Sequence, residues 1–376
     1  MRGERMDLRT VEVERGGPGE LQARVLGTGF CTACGACLGH CPYLKTLGER
    51  VAFIQSCPLD TGRCVEVCPR ISTDPDRLDA QIFGSGPADP LLGAHLSLHF
   101  ARALDPEVKQ RGQYGGVATA LTLFALGSGA ADAALLTGGS PTAAPHPIVA
   151  RERASVLAAT GTKYSACATL APLAPLLRDS AATIAVVGRP CQVAALRKIE
   201  ARGEAAHRLA LVIGVFCFWA LTPAFYRFLV SRADLARATK MDIPKEGGVV
   251  FSVNGGAVRV PLDEVRPFIR PACQSCFDPT AEWADLAVGS TEHDPGWNAL
   301  VVRTARGQAL LGAAVNAGLL EVKPYPAERI PILRAAVRGK KLRVLDALDA
   351  GRAEAAYLHL SPERRAAVRA EERAGA

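Results

Sequence analysis

The chain has 376 residues, of which 49% are hydrophobic, and it carries a formal net charge of +7. This length is sufficient for one large core or two smaller ones, so we expect two or three modules. The longest apolar run, "LALVIGVFCFWAL" at 209–221, is shorter than the ~20 residues of a membrane-spanning helix and is typical of a buried strand. The composition therefore gives no support for insertion in a membrane.

Seven of the twelve cysteines lie between residues 29 and 75. The motif "CTACGACLGHCP" contains Cys31, Cys34, Cys37 and Cys41. Their C-x2-C-x2-C-x3-C-P spacing is that of bacterial ferredoxins, whose thiolates hold [4Fe–4S] clusters. Zinc sites favour two separated C-x2-C pairs or Cys/His pairs, and a chain this long with no signal peptide does not need a disulfide framework. We therefore predict an iron–sulfur cluster at this motif.

The second cysteine segment, "CPLDTGRCVEVCPR", ends like a ferredoxin motif but has Pro58 and Thr61 where two earlier ligands would stand. In two-cluster ferredoxins the fourth cysteine of each motif binds the other cluster. By that rule the first cube is held by Cys31, Cys34, Cys37 and Cys68. The incomplete second set is then Cys41, Cys57 and Cys64. Either a non-cysteine ligand completes a second cluster, which we favour, or the first cube uses Cys41 and the other three cysteines are structural.

From about residue 95 the chain repeats one theme, in which a short apolar run is followed by a turn and a helical pattern. The segment "GGVATALTLFAL" (115–126) predicts an apolar helix after two glycines, and "AATIAVVGRPCQVAALRKIE" (181–200) predicts a strand, a turn and a helix that starts near Cys191. The segment at 209–230 predicts another strand, with a helix from about Thr222, a good N-cap residue. Alternating units of this kind favour an α/β or α+β core.

Five cysteines lie outside the N-terminal segments. Cys191 and Cys217 follow apolar strands in turns, and Cys273 and Cys276 form a C-x2-C pair in "RPACQSCFD". Loop ends of neighbouring strands at one edge of a sheet would bring these four together as ligands of a further cluster. The alternative is burial as small hydrophobic residues, which is what we expect for Cys167 in its helix-like stretch.

Six motifs of the central region occur in the order found in one known family. They are "GGVATALTLFAL", "TGTKYSAC", "VVGRPCQVAALRK", "IGVFCFWALTP", "RPACQSCFDPTAEWADLAVGS" and "GWNALVVRT". Over roughly residues 112–312 the chain resembles the coenzyme F420 hydrogenase/dehydrogenase beta-subunit family. The resemblance implies an iron–sulfur flavoprotein that binds FAD and [4Fe–4S] clusters and passes electrons between coenzyme F420, a deazaflavin hydride carrier, and a partner enzyme. Related branches include formate dehydrogenase beta subunits and reductases of chlorophyll pigments, which do not all use F420.

The resemblance also implies roles for individual residues. It makes Cys191, Cys217, Cys273 and Cys276 the ligands of the cluster in the flavin domain. It makes the following residues candidates for the flavin pocket: Gly115, Gly116, Val117, Thr119, Thr162 and Lys163. Tyr114 departs from family habit, since Ser or Gly more often precedes the glycine pair, and this departure leaves the identity of the hydride partner open.

A flavin accepts a two-electron hydride and releases single electrons to clusters, so the protein must hold it between a hydride donor and a cube. Gly115 and Gly116 would let the backbone approach the flavin closely, and the helix after them presents free amide groups to an anion. Lys163 would be the catalytic residue, because its positive charge near the flavin would stabilise the reduced anion. The alternatives are an ordinary turn at the glycines and a surface lysine.

Other polar and aromatic residues have two interpretations. Asp278, Asp285 and His293 would either shape a substrate mouth and carry protons or cap turns. Trp297 and Tyr164 would either stack on a ring system or pack in the core.

The C-terminal residues 331–376 contain ten Lys and Arg against six Asp and Glu. Their Ala-rich, charge-mixed sequence is typical of a solvated helix with i,i+4 pairs, and the alternative is a docking arm for an acidic protein or nucleic acid. No interleaved aromatic residues accompany the charge, so we do not expect a nucleic acid partner.

Together these features predict an α+β fold. Its parts are a lead-in at 1–28 that is loosely ordered, a small ferredoxin-like 4Fe-4S module at 29–90, a mixed-sheet FAD-binding core flanked by helices at 95–330, and a helical charged tail at 331–376. We expect two or three 4Fe-4S clusters, FAD, coenzyme F420 as a substrate, and a redox partner subunit or ferredoxin-like acceptor. Cluster-type cysteines without a targeting segment indicate the reducing cytoplasm.

The predicted function is that of an F420-type oxidoreductase, which passes electrons from a hydride carrier through FAD and the clusters to a partner, or in the reverse direction. One alternative is a non-catalytic electron-relay subunit of a larger hydrogenase or formate dehydrogenase complex. A second alternative is a cluster-containing nucleic-acid-binding protein.

Overall fold

The computed structural model describes residues 16–47, 50–84, 89–140, 142–203, 205, 207–235, 237–244, 248–291 and 294–374. The protein is a mixed α+β structure with a large mixed sheet and a helical C-terminus, which confirms this part of the predicted fold class. Within these ranges no helix has both the length and the apolar character needed to cross a membrane.

The secondary structure alternates between strands and helices through the middle of the chain. The strands are β1 (Leu44–Leu47), β2 (Arg50–Phe53), β3 (Ser97–Ala103), β4 (Ala133–Gly138), β5 (His146–Ala150), β6 (Ile184–Gly188), β7 (Leu209–Val215), β8 (Ala238–Asp242), β9 (Val249–Val253), β10 (Gly256–Val260), β11 (Leu286–Ser290), β12 (Asn298–Val302) and β13 (Leu320–Pro324). The α-helices are α1 (Pro18–Leu21), α2 (Arg63–Glu66), α3 (Pro75–Phe83), α4 (Pro106–Arg111), α5 (Val117–Gly127), α6 (Arg153–Ala158), α7 (Leu173–Asp179), α8 (Pro190–Ala201), α9 (Ala224–Val230), α10 (Leu262–Val265), α11 (Ala305–Asn316), α12 (Ile330–Asp349) and α13 (Pro362–Ala374). A π-helical turn follows α1 at Gln22–Leu26, and 3-10 turns lie at Ala233–Leu235, Arg266–Phe268, Pro271–Cys273, Ala327–Arg329 and Ala353–Ala355.

Eight strands form the main sheet in the order β13-β3-β12-β11-β7-β6-β4-β5. The four central strands β11, β7, β6 and β4 are parallel, and the strands on either side pair antiparallel. The predicted strands at 181–200 and 209–221 are β6 and β7, which lie side by side. Because the carboxyl ends of parallel strands meet at the same edge of a sheet, the turns after β6 and β7 are neighbours.

Each face of the main sheet is covered by a separate apolar core. In β6, for example, Ile184 and Val186 belong to one core and Ala185 to the other, as the two-residue period of a strand requires. The first core also contains residues of α8 and of the N-terminal cysteine segments, and the second contains residues of α5 and α11. Gly214 of β7 permits close packing on the first face, since a Cβ there would lie 2.2 Å from the Ala281 Cβ.

The N-terminal segment from residue 16 is more ordered than the sequence predicts. Residues 1–15 lie outside the described part of the chain, but 18–26 are helical and bury Leu21 and Val25. These two apolar side chains are four residues apart, so they share one helix face, and both pack in the core that contains the N-terminal cysteines. The expectation of a loose lead-in was therefore wrong for residues 18–26.

The C-terminal helices are packed rather than solvated along their length. Apolar residues of α12, among them Leu333, Val337 and Val344, recur at helical spacing and form a core with Leu91 and Leu92. In α13 the guanidinium of Arg364 bonds to Asp76 and Asp79 of α3, which ties the end of the chain to the N-terminal part. The helical tail was predicted correctly, but its expected solvation was wrong, because the apolar face of α12 has a partner surface.

A second, smaller sheet of order β10-β9-β8 lies beside the main one. Its apolar side packs with α9 around buried Phe225, Phe251 and Leu221. The helix predicted from about Thr222 is α9, which starts at Ala224.

Candidate functional site

Four cysteines converge at the carboxyl edge of the main sheet. Cys191 is the second residue of α8, and Cys217 follows the end of β7 by two residues. Cys273 ends a 3-10 turn, and Cys276 comes three residues later. All four line one cavity of about 320 Å³, which we call the sheet-edge cavity. The structure thus brings together the four cysteines for which the sequence predicts a shared cluster.

Short turns with defined hydrogen bonds place these cysteines. Pro190 is the first residue of α8, where a missing amide costs no helical hydrogen bond, so the helix starts directly after β6. The Cys217 amide donates to the Pro279 carbonyl at 2.8 Å, which holds the turn after β7 against the C-x2-C loop. The Ala220 amide donates to Cys273 Sγ at 3.3 Å. Amide donors to sulfur are among the features that tune the potentials of iron–sulfur clusters.

Burial disfavours the thiolate form of Cys217 and Cys273 in the sheet-edge cavity. Burial raises the pKa of Cys217 to about 12, and burial is also the main cause of the raised pKa of Cys273. Iron is bound by thiolates, so these cysteines release protons when they bind a cluster.

Three basic side chains, Arg70, Arg189 and Lys340, line the same cavity. Arg70 and Lys340 are buried, with 6% and 4% of their surface exposed, and Arg189 is half-buried. Arg70 donates to oxygen atoms of Ala272 and Ser275, and Arg189 donates to the Cys167 carbonyl. Lys340 donates to the carbonyls of Cys217 and Asp278. These acceptors are carbonyls and one hydroxyl, and in the described ranges none of the three cations forms an ion pair with a carboxylate.

This charge distribution fits an anionic occupant. A buried cation without a counter-charge is unfavourable, and four thiolates around an iron–sulfur cube carry net negative charge. The guanidinium of Arg270 interacts electrostatically with Cys31, Cys273 and Cys191, and its buried Nε has no hydrogen-bond partner among the residues described. The chemistry of the cavity therefore suits a bound iron–sulfur cluster.

A single metal ion fits less well. Among the side chains that the structure describes, no three His, Cys, Asp or Glu are grouped as ligands of one ion. A [4Fe–4S] cube binds each thiolate through a different iron, so its ligands stand farther apart than those of a lone ion. The lack of such a group among the described residues is therefore compatible with a cube.

The N-terminal cysteines interact in two groups. Burial raises the pKa of Cys37, and the thiols of Cys34, Cys68, Cys31 and Cys64 raise it further. Burial likewise raises the pKa of Cys64 to about 11, with contributions from Cys41 and Cys57. The first interactions join the four cysteines that the ferredoxin rule assigns to one cube and extend to Cys64, and the second join the incomplete set. Which of the two alternatives for the incomplete set applies stays a prediction.

Backbone geometry supports the first motif. Gly35 has φ of 89°, and a Cβ there would lie 2.7 Å from the Ala168 carbonyl oxygen, so this close approach requires glycine. The Ala33 amide donates to Cys31 Sγ at 3.3 Å, and the Tyr43 amide donates to Cys41 Sγ at 3.4 Å. The motif is therefore folded against the segment around residue 168 and not on an independent surface.

The N-terminal group and the sheet-edge cavity share a boundary. The Cys191 thiol contributes to the raised pKa of both Cys31 and Cys34, after the larger effect of burial. Thr32 lines the sheet-edge cavity, and Arg270 Nη2 donates to the Cys31 carbonyl at 2.6 Å. The two cysteine groups are thus adjacent, with no intervening domain.

The predicted flavin residues include the start of α5. Gly116, just before the helix, has φ of 69°, a left-handed conformation that favours glycine. A Cβ on Gly115 would lie 2.7 Å from the Ala101 carbonyl oxygen, so a side chain there would push the loop away from β3. Both glycines are needed to bring the backbone to this position.

The helix that follows has amide groups available for a ligand. The Val117 amide donates to Asn298 Oδ1 at 3.2 Å. The amides of Ala118 and Thr119 have no acceptor in the ranges that the structure describes. Free amides at the start of an 11-residue helix suit an anionic group such as the pyrophosphate of a dinucleotide.

Thr162 and Lys163 lie on the segment that faces α5. Thr119 Oγ1 donates to Thr160 Oγ1 at 3.4 Å, which joins the two segments. Beside them is a second cavity of about 210 Å³, lined by Ser140, Thr162, Lys163, Tyr164, Ser165, Phe225, Tyr226 and Met241.

The amine of Lys163 is engaged by its own loop. It donates to the carbonyl oxygens of Ala159, Thr160 and Gly161 at 2.5, 2.9 and 2.9 Å, and so caps the end of α6. Burial lowers the pKa of Lys163 to about 8. All three N–H groups of the ammonium are used in this arrangement, and its predicted effect on a flavin stays a prediction.

Asp242 joins the flavin loops to the small sheet. Tyr114 Oη donates to both carboxylate oxygens at 3.3 Å, and Tyr164 Oη donates to Oδ1 at 3.2 Å. Lys240 Nζ donates to the Gly112 carbonyl at 3.1 Å. Tyr114, the unusual residue before the glycine pair, therefore anchors the loop to β8, and Tyr164 packs there rather than projecting freely.

The acidic candidates near the C-x2-C pair have structural partners. The Asp278 carboxylate accepts from two backbone amides of its own turn at 2.9 Å each. Asp285 forms ion pairs with Arg197 and Arg306 at 3.2 and 2.8 Å. These contacts favour turn capping and packing over a substrate mouth, whereas His293 lies outside the described residues.

Trp297 also has a packing role. Its ring stacks on Phe100 with centroids 6.4 Å apart, and Arg102 and Lys323 lie over it at 4.4 and 4.1 Å. These contacts join β3, β13 and the start of β12, so they favour the packing interpretation.

Sequence reasoning missed the basic residues of the sheet-edge cavity and the anchors Asn298 and Asp242. Arg189 lies in the segment "GRPC" and Asn298 in "GWNALVVRT", but neither residue belongs to a spacing pattern that indicates a function. Lys340 did leave a signal, because it lies between Val337 and Val344 on the apolar face of the predicted tail helix. A lysine on a buried helix face requires a partner, and here that partner is the sheet-edge cavity.

Comparison with known proteins identifies two matching family models. Residues 98–174 match the model of the N-terminal part of the coenzyme F420 hydrogenase/dehydrogenase beta subunit. Residues 181–328 match the model of the C-terminal part of the same subunit. The sheet-edge cysteines and the flavin candidates lie inside these ranges, and the N-terminal cysteines and α12 lie outside them.

Several curated relatives carry names that refer to coenzyme F420. The chain is 31% identical to the coenzyme F420 hydrogenase subunit beta of Methanosarcina barkeri over 245 residues, which are 63% of this chain and 84% of that protein. It is 29% identical to the coenzyme F420-dependent sulfite reductase of Methanocaldococcus jannaschii, over 77% of this chain and 46% of that protein.

A solved structure has the same fold. One chain in the structure of the F420-reducing [NiFe] hydrogenase complex from Methanosarcina barkeri superposes with a TM-score of 0.65 at 28% sequence identity. The match covers 70% of this chain and 94% of that chain.

Proposed function

Because this chain belongs to the coenzyme F420 hydrogenase/dehydrogenase beta-subunit family, we propose that it is an F420-linked redox subunit of a larger complex. In this role it exchanges electrons between coenzyme F420 and a partner protein through FAD and 4Fe-4S clusters. The oxidation of one reduced F420 releases two electrons and two protons, so each turnover requires two single-electron transfers to the partner. The names of the relatives and the superposed hydrogenase chain support this assignment.

The observation that carries the proposal is the contact that joins three groups of candidate residues. These groups are the flavin candidates, the sheet-edge cysteines and the N-terminal cysteines. The Leu221 amide donates to the Tyr164 carbonyl at 2.8 Å, and the Ala166 amide donates back to the Leu221 carbonyl at 3.1 Å. The segment that contains the flavin candidates Thr162 and Lys163 therefore packs on the turn that follows Cys217. The N-terminal motif lies against both, since Ala33 packs with Ala166, Ala220 and Cys273, and Thr32 lines the sheet-edge cavity. A flavin, the sheet-edge cluster and the N-terminal cluster would therefore be near neighbours in space.

Each group of residues has a defined task in this proposal. When bound, the flavin converts a two-electron hydride transfer into single-electron steps. Gly115 and Gly116 give the backbone room beside it, Val117 and Thr119 belong to the helix turn that offers amides to its pyrophosphate, and Thr162 provides a hydroxyl.

Lys163 contributes positive charge to the same region. The Lys163 ammonium is fixed by three carbonyls, so its position does not depend on the ligand. A fixed cation beside the flavin ring would favour the reduced, anionic form.

The cysteines hold the clusters. Cys191, Cys217, Cys273 and Cys276 bind one cube at the sheet edge, and Cys31, Cys34, Cys37 and Cys68 bind another. We further propose that Cys41, Cys57 and Cys64 hold a third cluster that is completed by a non-cysteine ligand. The buried cations around the sheet-edge cavity offset the negative charge of the first cube.

The direct test is chemical analysis of the anaerobically purified full chain. We expect roughly eight to twelve irons, a similar amount of sulfide and one FAD per chain. Stopped-flow visible spectra should then show bleaching on addition of reduced F420 and none with NADH. Protein that contains neither iron nor flavin would refute the proposal.

A non-catalytic relay subunit is the second candidate, since the superposed chain is one component of a hydrogenase complex. The two candidates differ in what the isolated chain can do. A partner-free preparation that oxidises reduced F420 with a dye acceptor supports the catalytic subunit. Iron and flavin that reduced F420 does not bleach would support the relay.

A further inference from the structure

The C-terminal helix α12 sends one charged side chain into the sheet-edge cavity. Lys340 is 4% exposed, and its Nζ donates to the carbonyls of Cys217 at 2.6 Å and Asp278 at 3.2 Å. The Phe218 ring centroid lies 5.9 Å from the same atom. Lys340 lies outside both ranges matched by the family models, so this part of the cavity wall comes from a different region of the chain.

Lys340 differs from its neighbour in what balances its charge. Lys341, the next residue, is also buried and forms an ion pair with Glu282 at 2.8 Å. Lys340 has two carbonyl acceptors instead, and the nearby Asp278 directs its carboxylate to backbone amides of its own turn. The charged and ionisable groups that face Lys340 are therefore the cysteines of the cavity and Asp278, whose carboxylate is engaged by its own turn.

The electrostatic neighbours of Lys340 include three of the four sheet-edge cysteines. Its charge interacts with the thiols of Cys276, Cys217 and Cys273 and with the carboxyl group of Asp278. Arg189 and Arg70 face the same cavity from α8 and from the N-terminal segment, so the lysine adds to a positive environment that comes from three parts of the chain.

We propose that Lys340 raises the reduction potential of the cluster held by Cys191, Cys217, Cys273 and Cys276. This inference rests on the proposed function, in which these cysteines bind a [4Fe–4S] cube. Reduction adds one negative charge to the cube, and a fixed positive charge in a poorly solvated cavity stabilises the reduced form more than the oxidised form. The C-terminal helix thereby sets how readily the sheet-edge cluster accepts an electron.

The experiment compares four full-length proteins purified anaerobically with their clusters. Lys340→Gln removes the charge but keeps N–H groups for the two carbonyls, and Lys340→Arg keeps the charge. Lys109→Gln, at an exposed lysine on α4, removes the same charge where solvent screens it. The fourth protein is the unmodified chain. Midpoint potentials are measured by redox titration followed by electron paramagnetic resonance, and the signal that a Cys191→Ser variant lacks is assigned to the sheet-edge cluster.

We expect Lys340→Gln to lower the potential of the sheet-edge cluster alone. The ratio of oxidised to reduced cluster at a fixed applied potential should rise about tenfold, which is about 59 mV for a one-electron couple. Lys340→Arg and Lys109→Gln should stay close to the unmodified protein. A Lys340→Gln protein that keeps its cluster and its potential would overturn the inference, and so would an equal shift in Lys109→Gln.

Cluster content decides the case in which Lys340→Gln does not load iron. Retention of the cluster in Lys340→Arg together with its loss in Lys340→Gln would mean that the charge is required, which supports the inference. Loss of the cluster in both variants would mean that the cavity tolerates only the shape of lysine at position 340, which contradicts the inference. Absence of iron from the unmodified protein is a separate outcome and would refute the proposed function itself.

Discussion

The two cysteine groups of this protein are built in different ways. The N-terminal cysteines lie in one segment, 31–68, and their spacing alone predicts a cube. The sheet-edge cysteines come from three separate turns, and the cations around them come from both ends of the chain. The first site is thus specified locally, whereas the second depends on the packing of the whole molecule. Remote substitutions should therefore disturb the second site more than the first.

The sharpest way to separate the two groups is to remove one ligand. Cys191→Ser should lose about four irons per chain, because a cube that lacks one thiolate is poorly held, and the N-terminal cluster should remain. Iron and sulfide analysis measures the loss. Cys167→Ser is the matched control, since Cys167 is buried but belongs to neither group, and it should retain all its iron. Full iron content in Cys191→Ser would contradict the ligand assignment.

The next largest effect concerns the connection between the two ends of the chain. Arg364 is buried and bonds to Asp76 and Asp79, so Arg364→Leu leaves two carboxylates without their partner. We expect the free energy of unfolding to fall by about 3–5 kcal/mol, measured by denaturant titration. Arg365→Leu breaks an exposed pair with Asp349 and should change it by no more than about 0.5 kcal/mol. Equal losses in the two variants would show that burial of the pair is unimportant.

A smaller effect is expected at the glycine turn before α5, which is specified locally like the N-terminal motif. Gly116→Ala places a side chain at φ of 69° and should cost about 1–2 kcal/mol of unfolding free energy, with a loss of bound FAD. Gly127→Ala, at the end of the same helix, meets open space and should be neutral or stabilise by about 0.5–1 kcal/mol. If Gly116→Ala retained as much FAD as Gly127→Ala and were equally stable, a tight turn at residue 116 would be ruled out.

The smallest expected effect is at Lys163. Lys163→Gln should reduce the free energy of unfolding by about 1 kcal/mol, because carbonyls at the end of α6 lose hydrogen bonds. It should also slow reduction of the flavin by reduced F420 in stopped-flow measurements, because the fixed positive charge is gone. An unchanged rate together with the stability loss would leave Lys163 a structural role only.

Local patterns predicted the elements that have local causes. The apolar helix at 115–126, the strands β6 and β7 and the helix that begins beside Cys191 all follow from short-range periodicity and from glycine and proline placement. The shared edge of the parallel strands then follows from the fold class, and with it the meeting of the four sheet-edge cysteines.

The features that were missed depend on contacts between distant segments. Nothing near Lys340 in the sequence specifies that α12 packs over the C-x2-C loop, and nothing near Asp242 specifies its two tyrosine partners. The solvation of the tail was predicted wrongly for the same reason, since charge content was weighed above the apolar face that repeats through α12. Such contacts are set by the tertiary fold and leave only indirect traces in the sequence.

Coverage of the sheet-edge cavity by both ends of the chain has a consequence for biogenesis. Its cysteines lie between residues 191 and 276, whereas Thr32 and Arg70 are synthesised before them and Lys340 after them. The cavity wall is complete only after synthesis reaches α12. For the proposed cube, delivery before or together with the docking of α12 would make maturation an ordered process, in which a late helix closes over the cofactor.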